Sequence, residues 1–216
     1  MFYPEYYFNF DAMDVEGFIY SDPHFLHSNI IKYEKRPFKD VDEMNTKMAE
    51  YWNSKVTSPN SIVIVGGDMF MERKDTKKYL AEDQKKQKAI ISQLNGAVAI
   101  AKGNHDNPES FTKLPEVLVA DQIYFTYHGK TYWLEHAPPD PGTDVPGGGS
   151  PTKLVRSRST RSYDVALCGH VHSQWLSVRN TGDIRGVLNI GADLCNYTPR
   201  SLAELEAVCK AEGLIK

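Results

Sequence analysis

The sequence predicts an α/β fold in a single domain, with antiparallel strands gathered in its second half. Three observations predict it. Short apolar runs recur along the chain, among them Gly17–Tyr20 and Ala97–Ala101. Longer stretches separate them, and in residues 40–56 Val41, Met44, Met48 and Trp52 recur at helical spacing. Further on, two strand-like runs flank His128-Gly129, a hairpin signal.

Each element has its own reason. Gly17–Tyr20 reads as a strand leading into Ser21-Asp22. Residues 40–56 read as a helix, with Asp40 as N-cap and Glu43 three residues on. Residues 61–65 form a β-branched run, as in a strand buried on both faces. A second helix is expected over 75–94, ended by Asn95-Gly96. Ala97–Ala101 is another buried strand. Residues 123–127 and 130–135 are the hairpin arms, and Val165–Cys168 and 184–190 complete the strands. Ser201 with Glu204 makes a capping box for a last short helix. Residues 137–150 are rich in Pro and Gly, but motifs lie on both sides of them. They read as a surface loop within one domain, residues 1–216.

Composition narrows the function. A chain of 216 residues with 41% apolar and 25% charged residues suits one globular core. The 25 Lys+Arg against 28 Asp+Glu leave a net charge of −3, which argues against coating nucleic acid through bulk charge. No stretch of 18 apolar residues marks a transmembrane helix. Residues 1–10 lack the basic-then-apolar pattern of a secretory signal. Cys168, Cys195 and Cys209 are few and widely spaced, as reduced thiols of a cytoplasmic protein would be.

The histidines carry more. Five motifs follow in order: Asp22-Pro23-His24, Gly67-Asp68, Gly103-Asn104-His105-Asp106, His136, and Gly169-His170-Val171-His172. The first three each begin where a strand-like run ends. Side chains at the carboxyl ends of α/β strands converge on one crevice, so these residues can meet in space. Carboxylate, imidazole and amide oxygen together suit borderline divalent metals such as Mn, Fe, Zn, Ni or Co. Seven such positions exceed what one transition metal takes, but suit two metals sharing a carboxylate.

In this order, over about two thirds of the chain, the motifs resemble the calcineurin-like metallophosphoesterase superfamily. The resemblance implies a four-layer α/β/β/α sandwich: two mixed β-sheets flanked by helices, with a dinuclear metal site at the C-terminal ends of strands. It implies that Asp22, His24, Asp68 and His172 hold one ion. Asp68, Asn104, His136 and His170 hold the other, with Asp68 bridging. His105 is then the general acid and Asp106 its orienting carboxylate. The chain departs from the pattern in two places. Phe25 stands where Gly often follows Asp-x-His, and His136 is followed by Ala-Pro-Pro. The segment from Asp22 to Phe38 looks like that of small bacterial and phage-encoded members with no assigned substrate.

The expected activity is metal-dependent hydrolysis of phosphate mono- or diesters, through water activated between two divalent ions. Manganese is the first expectation for the ions, and a nucleotide or other small phosphorylated compound for the substrate. The alternatives are a nuclease and a non-catalytic scaffold. A scaffold would have lost ligands, and none is lost. The cluster Lys153, Arg156, Arg158 and Arg161 is the one feature that speaks for nucleic acid. His27, Asn29 and Arg36 follow the first ligand motif and are candidate substrate contacts. The aromatic N-terminus, Phe2 to Phe10, reads as a core-packed or dimer-forming strand before a base-stacking surface.

Overall fold

A computed structural model of the chain describes residues 2–71, 76–111, 114, 117–139, 159–179 and 186–216. Strands β1 (Phe2–Asn9), β2 (Gly17–Tyr20), β3 (Ile62–Val65), β4 (Ala97–Ala101), β5 (Val117–Tyr127), β6 (Lys130–Leu134), β7 (Val165–Cys168), β8 (Ser177–Val178), β9 (Val187–Asn189) and β10 (Arg200–Ser201) belong to one mixed sheet. Helices α1 (Ile30–Tyr33), α2 (Val41–Lys55), α3 (Thr76–Ile91), α4 (Pro108–Phe111) and α5 (Leu202–Ala211) accompany it. The beginning of the expected helix at Asp75, the strand start at residues 184–185, and most of the Pro/Gly loop lie outside the described residues. So do Lys153, Arg156 and Arg158.

The sheet runs β10-β2-β3-β4-β5-β6-β7-β9-β8. β5 is the strand that organises it. β4 runs parallel along Val117 to Ala120, and β6 runs antiparallel along Ile123 to Tyr127. β1 runs parallel to β5 from Phe2 opposite Val119 to Asn9 opposite Thr126. It overlaps both neighbours, so it must occupy the opposite edge. β4 and β6 therefore share one edge of β5, placed end to end. The two expected sheets are two halves of a single curled one.

Alternation along the strands sorts the core. Ile19, Ile64 and Ala99 of the first half pack with Phe125, Tyr132, Leu134, Val165, Leu167 and Leu188 of the second. The opposite face of the first half carries Phe18, Tyr20, Val63, Val65, Val98 and Ile100, and α2 covers it with Met44, Met48 and Trp52. Trp52 is fully buried, sets its ring edge-on to Tyr20, and donates its indole N–H to the Asn95 carbonyl at 2.9 Å.

The local chemistry agrees with these choices. Asp40 caps α2 by accepting from the Glu43 amide at 2.8 Å. Ser201 and Glu204 form the reciprocal capping box of α5. His128 and Gly129 both take positive φ, 49° and 69°, as a tight turn with the hairpin's own twist requires. Of the N-terminal aromatics, Tyr3, Tyr6 and Phe8 lie against the inner core beside Phe10, while Tyr7 is exposed. No helix among the described residues is long and apolar enough to cross a membrane.

Candidate metal centre

The ends of β4 and β6 explain why distant motifs meet. Ala101, last in β4, pairs with Ala120, and Leu134, last in β6, pairs with Ile123. The carboxyl ends of the two halves thus face each other three residues apart on β5. Asp22, Asp68 and Asn104 follow β2, β3 and β4 in the first half; His136 and His170 follow β6 and β7 in the second.

Five of the seven predicted ligands sit in left-handed backbone: Asp22 at φ 53°, His24 at 51°, Asp68 at 49°, His170 at 67° and His172 at 47°. A non-glycine residue there costs about 1–3 kcal/mol, and such strain gathers at functional sites. The loops are also closely stacked. A Cβ on Gly103 would stand 2.1 Å from Asp68 Oδ1, and one on Gly169 would stand 2.0 Å from Asp22 Oδ2. Only glycine lets these backbones approach the carboxylates so closely.

The side chains form a tight set. Asp68 accepts the His105 amide on Oδ1 at 2.8 Å. Its Oδ2 lies 3.3 Å from His136 Nε2 and 3.6 Å from His24 Nε2. The Asn104 side-chain oxygen is 2.9 Å from both His136 Nε2 and His170 Nδ1. Asp22, His24 and His172 offer donor atoms within 4.8 Å of one another, and so do Asp22, Asp68 and His136. A cation fits the part of this set around His24 by an independent observation. Among the described residues, both ring nitrogens of His24 are buried with no hydrogen-bond partner. Buried polar atoms are rarely left so, and a ring nitrogen facing a carboxylate cluster is satisfied by a cation.

The buried charges of the cluster act on one another. Burial favours the neutral form of Asp68, but His136, His24 and the His105 amide outweigh it and hold the carboxyl well below its usual range. Burial also opposes charge on His136, yet Asp68 and Asp22 push its pKa up to about 10. Burial raises Asp22 and lowers both His24 and His170. An ion seated here would take the place of the proton on His136, because metal and proton compete for one lone pair.

The other predicted residues take different places. The Asp106 carboxylate is engaged by backbone amides. Its Oδ2 accepts the amides of Asp68 at 2.7 Å and Gly103 at 2.9 Å, and its Oδ1 accepts that of Met69 at 3.0 Å. It ties the third ligand loop to the second, which its short reach from the buried loop allows. Burial and the neighbouring Asp68 push its pKa up to about 7 against those amide bonds. Arg36 is not a substrate contact. It is 3% exposed, and its guanidinium is bound to Asp193 and to the Asp22 and Pro23 carbonyls. A guanidinium sealed into protein must spend its donors there. Asn29 is exposed at the start of α1. His27 is buried with Nδ1 unpaired, its ring 5.2 Å from His24 and 6.4 Å from His105. Burial and the nearby His105 lower its pKa to about 4, so it is neutral at pH 7.

Two residues at the site were not read from the sequence. Asp193 lies 3.1 Å from His172 Nδ1, and Glu34 groups with both. Neither belongs to a motif. The one signal for Asp193 was its place just after a strand and Gly191.

The family model described as calcineurin-like phosphoesterase matches residues 18–174. The Methanocaldococcus jannaschii protein MJ1445 is 28% identical over 187 residues, 86% of each chain. Among solved structures, the Aquifex aeolicus protein AQ665 shares the fold, with a TM-score of 0.64 at 22% identity over 90% of this chain and 100% of its own.

Proposed function

This chain belongs to the calcineurin-like phosphoesterase family, and on that premise we propose that it hydrolyses a small phosphate ester, first of all a nucleotide, at a dinuclear site formed by its seven motif residues. Membership supports metal-dependent phosphoester hydrolysis as the reaction class. The observation that carries the site assignment is Asp68, whose Oδ2 faces an imidazole of each half of the sheet. In this reading Asp22, His24, Asp68 and His172 hold one ion. Asp68, Asn104, His136 and His170 hold the other. Manganese is the favoured metal, with iron, zinc, nickel and cobalt as alternatives for the same ligand chemistry. Two such ions would supply Lewis acidity toward the phosphoryl oxygens and lower the pKa of a water between them.

The protein's own groups do the rest. The His105 amide is fixed on Asp68, which aims the half-buried ring toward the cleft that holds His24 and His27. From there it delivers a proton to the leaving oxygen. Asp106 holds the loop that carries Asn104 and His105 against the Asp68 loop. In this reading His27, neutral at the edge of the cluster, and exposed Asn29 two residues on remain the candidate contacts for the phosphoryl group.

The nuclease reading has less support among the described residues. Arg161, the described member of the basic cluster, is bound to Glu5 at 2.6 Å and lies over the Tyr7 and Tyr124 rings. A panel with added Mn²⁺ tests the proposal: p-nitrophenyl phosphate, bis-p-nitrophenyl phosphate, cyclic nucleotides and short oligonucleotides. Hydrolysis of a small ester, abolished by EDTA, is expected. Cleavage of oligonucleotides alone would replace this reading with the nuclease one.

A further inference from the structure

Arg36 stands in the loop between α1 and α2, and its partners join the first ligand loop to the last. Nε and Nη2 donate to the two oxygens of Asp193 at 2.8 and 3.0 Å, a bidentate pair. Nη1 donates to the Pro23 carbonyl at 2.8 Å, and Nη2 also donates to the Asp22 carbonyl at 2.9 Å. Asp22 and Pro23 are the backbone of the Asp-x-His motif. Asp193 lies in a 3₁₀ turn, Ala192–Leu194, and the same Oδ2 that takes Nη2 is 3.1 Å from His172 Nδ1.

We propose that Arg36 and Asp193 are a positioning pair that fixes the tautomer of His172 and thereby sets the affinity of the ion held by Asp22, His24 and His172. The inference rests on the dinuclear reading above. A neutral imidazole binds a metal through one nitrogen, and the hydrogen bond made by the other decides which. Donation from Nδ1–H to Asp193 leaves the Nε2 lone pair of His172 for the ion. The comparison within the site is informative. His136 is held in the same manner, with Nδ1 2.8 Å from the Gly66 carbonyl. One ligand histidine is thus backed by a dipole and the other by a full negative charge. The carboxylate-backed imidazole is the stronger donor.

Arg36 is needed for that arrangement. The Asp193 side chain is only 3% exposed, and an unpaired anion there would be costly. The guanidinium supplies the counter-charge and, through two carbonyls, sets the Asp193 carboxylate at a fixed place relative to the Asp22 loop. Lysine has the charge but not the planar fork.

The test is a calorimetric titration of the metal-free protein with Mn²⁺, repeated with Co²⁺ while its visible absorption bands are recorded. The wild type should take up two ions. Asp193→Ala should weaken one of them by about 10–100-fold, the usual effect of removing a group behind a ligand histidine. The other should stay within about threefold, and the Co²⁺ bands of the weakened site should shift or vanish. Asp193→Asn keeps an acceptor for Nδ1–H and should recover part of the loss. Arg36→Lys should fall between the two. A merely structural pair would instead weaken both ions alike. That result, or wild-type binding of both ions by Asp193→Ala, overturns the inference. A wild-type protein that takes up no second ion overturns the dinuclear reading itself, before any variant is measured, and this inference with it.

Discussion

Asp68 Oδ2 lies 3.3 Å from His136 Nε2 while Asp68 Oδ1 is occupied by the His105 amide at 2.8 Å. One oxygen is spent on the loop and the other is left for the cleft. Asp68→Asn removes the charge from that second oxygen and leaves its shape. The variant is expected to lose both ions on gel filtration, with turnover down on the order of 10²-fold or more. Two ions retained by elemental analysis, with near-normal turnover, would remove Asp68 from the bridging place.

Chelation should act on the fold as well as on turnover. The ligands belong to two halves of the sheet, so bound ions stabilise the folded state by mass action. At about 100 times its dissociation constant, Mn²⁺ should contribute ~2.7 kcal/mol per site. For a chain of this size that is a rise of about 5–10 °C in melting temperature per site, reversed by EDTA. An unchanged melting curve would argue that the folded protein holds no ion more tightly than the unfolded chain.

His105→Ala is expected to retain both ions and lose roughly 10²–10⁴-fold in turnover, the span of a general acid. The loss should be smallest with p-nitrophenolate as leaving group and largest with a ribose hydroxyl, which needs the proton more. Equal losses on both substrates, or loss of metal, would reassign the residue.

Asp106→Asn separates a loop tie from an orienter of His105. The amide keeps one acceptor oxygen for three backbone N–H groups and turns its own NH₂ toward one of them. Metal-free protein should lose about 1.5–3 kcal/mol in denaturant unfolding. Unchanged stability with a lost leaving-group dependence would restore the orienting role.

Much of this was legible in the sequence, for physical reasons that differ by residue. Runs such as Ile62–Val65 are buried on both faces, so their composition alone announces strands. The motif residues have little packing value and stand at strand ends, which betrays them. The first part of β5 was missed because Asp121-Gln122 interrupts its apolar run; Gln122 is buried and its side-chain oxygen accepts from Tyr124 and Trp133. β8 and β10 are two residues each and leave no period to detect. The Arg36–Asp193 pair spans 157 positions and no local pattern encodes it. Arg36 reads as a phosphate contact from its place in the chain, and only burial reverses that.

The shared edge of β5 has a consequence for how this chain can change. Between Ala120, the last partner of β4, and Ile123, the first of β6, stand two residues, Asp121 and Gln122. Inserting or deleting one residue there would slide one set of ligands past the other by about 3.3 Å. That is close to the ~3.5–4 Å that separates the ions of a dinuclear site. A loop that carries no ligand can vary in length with less penalty to the chemistry. This two-residue spacer acts as a gauge block, and indels within it should be the least tolerated in the protein. A library of single-residue insertions scored for Mn²⁺ binding would map that intolerance directly.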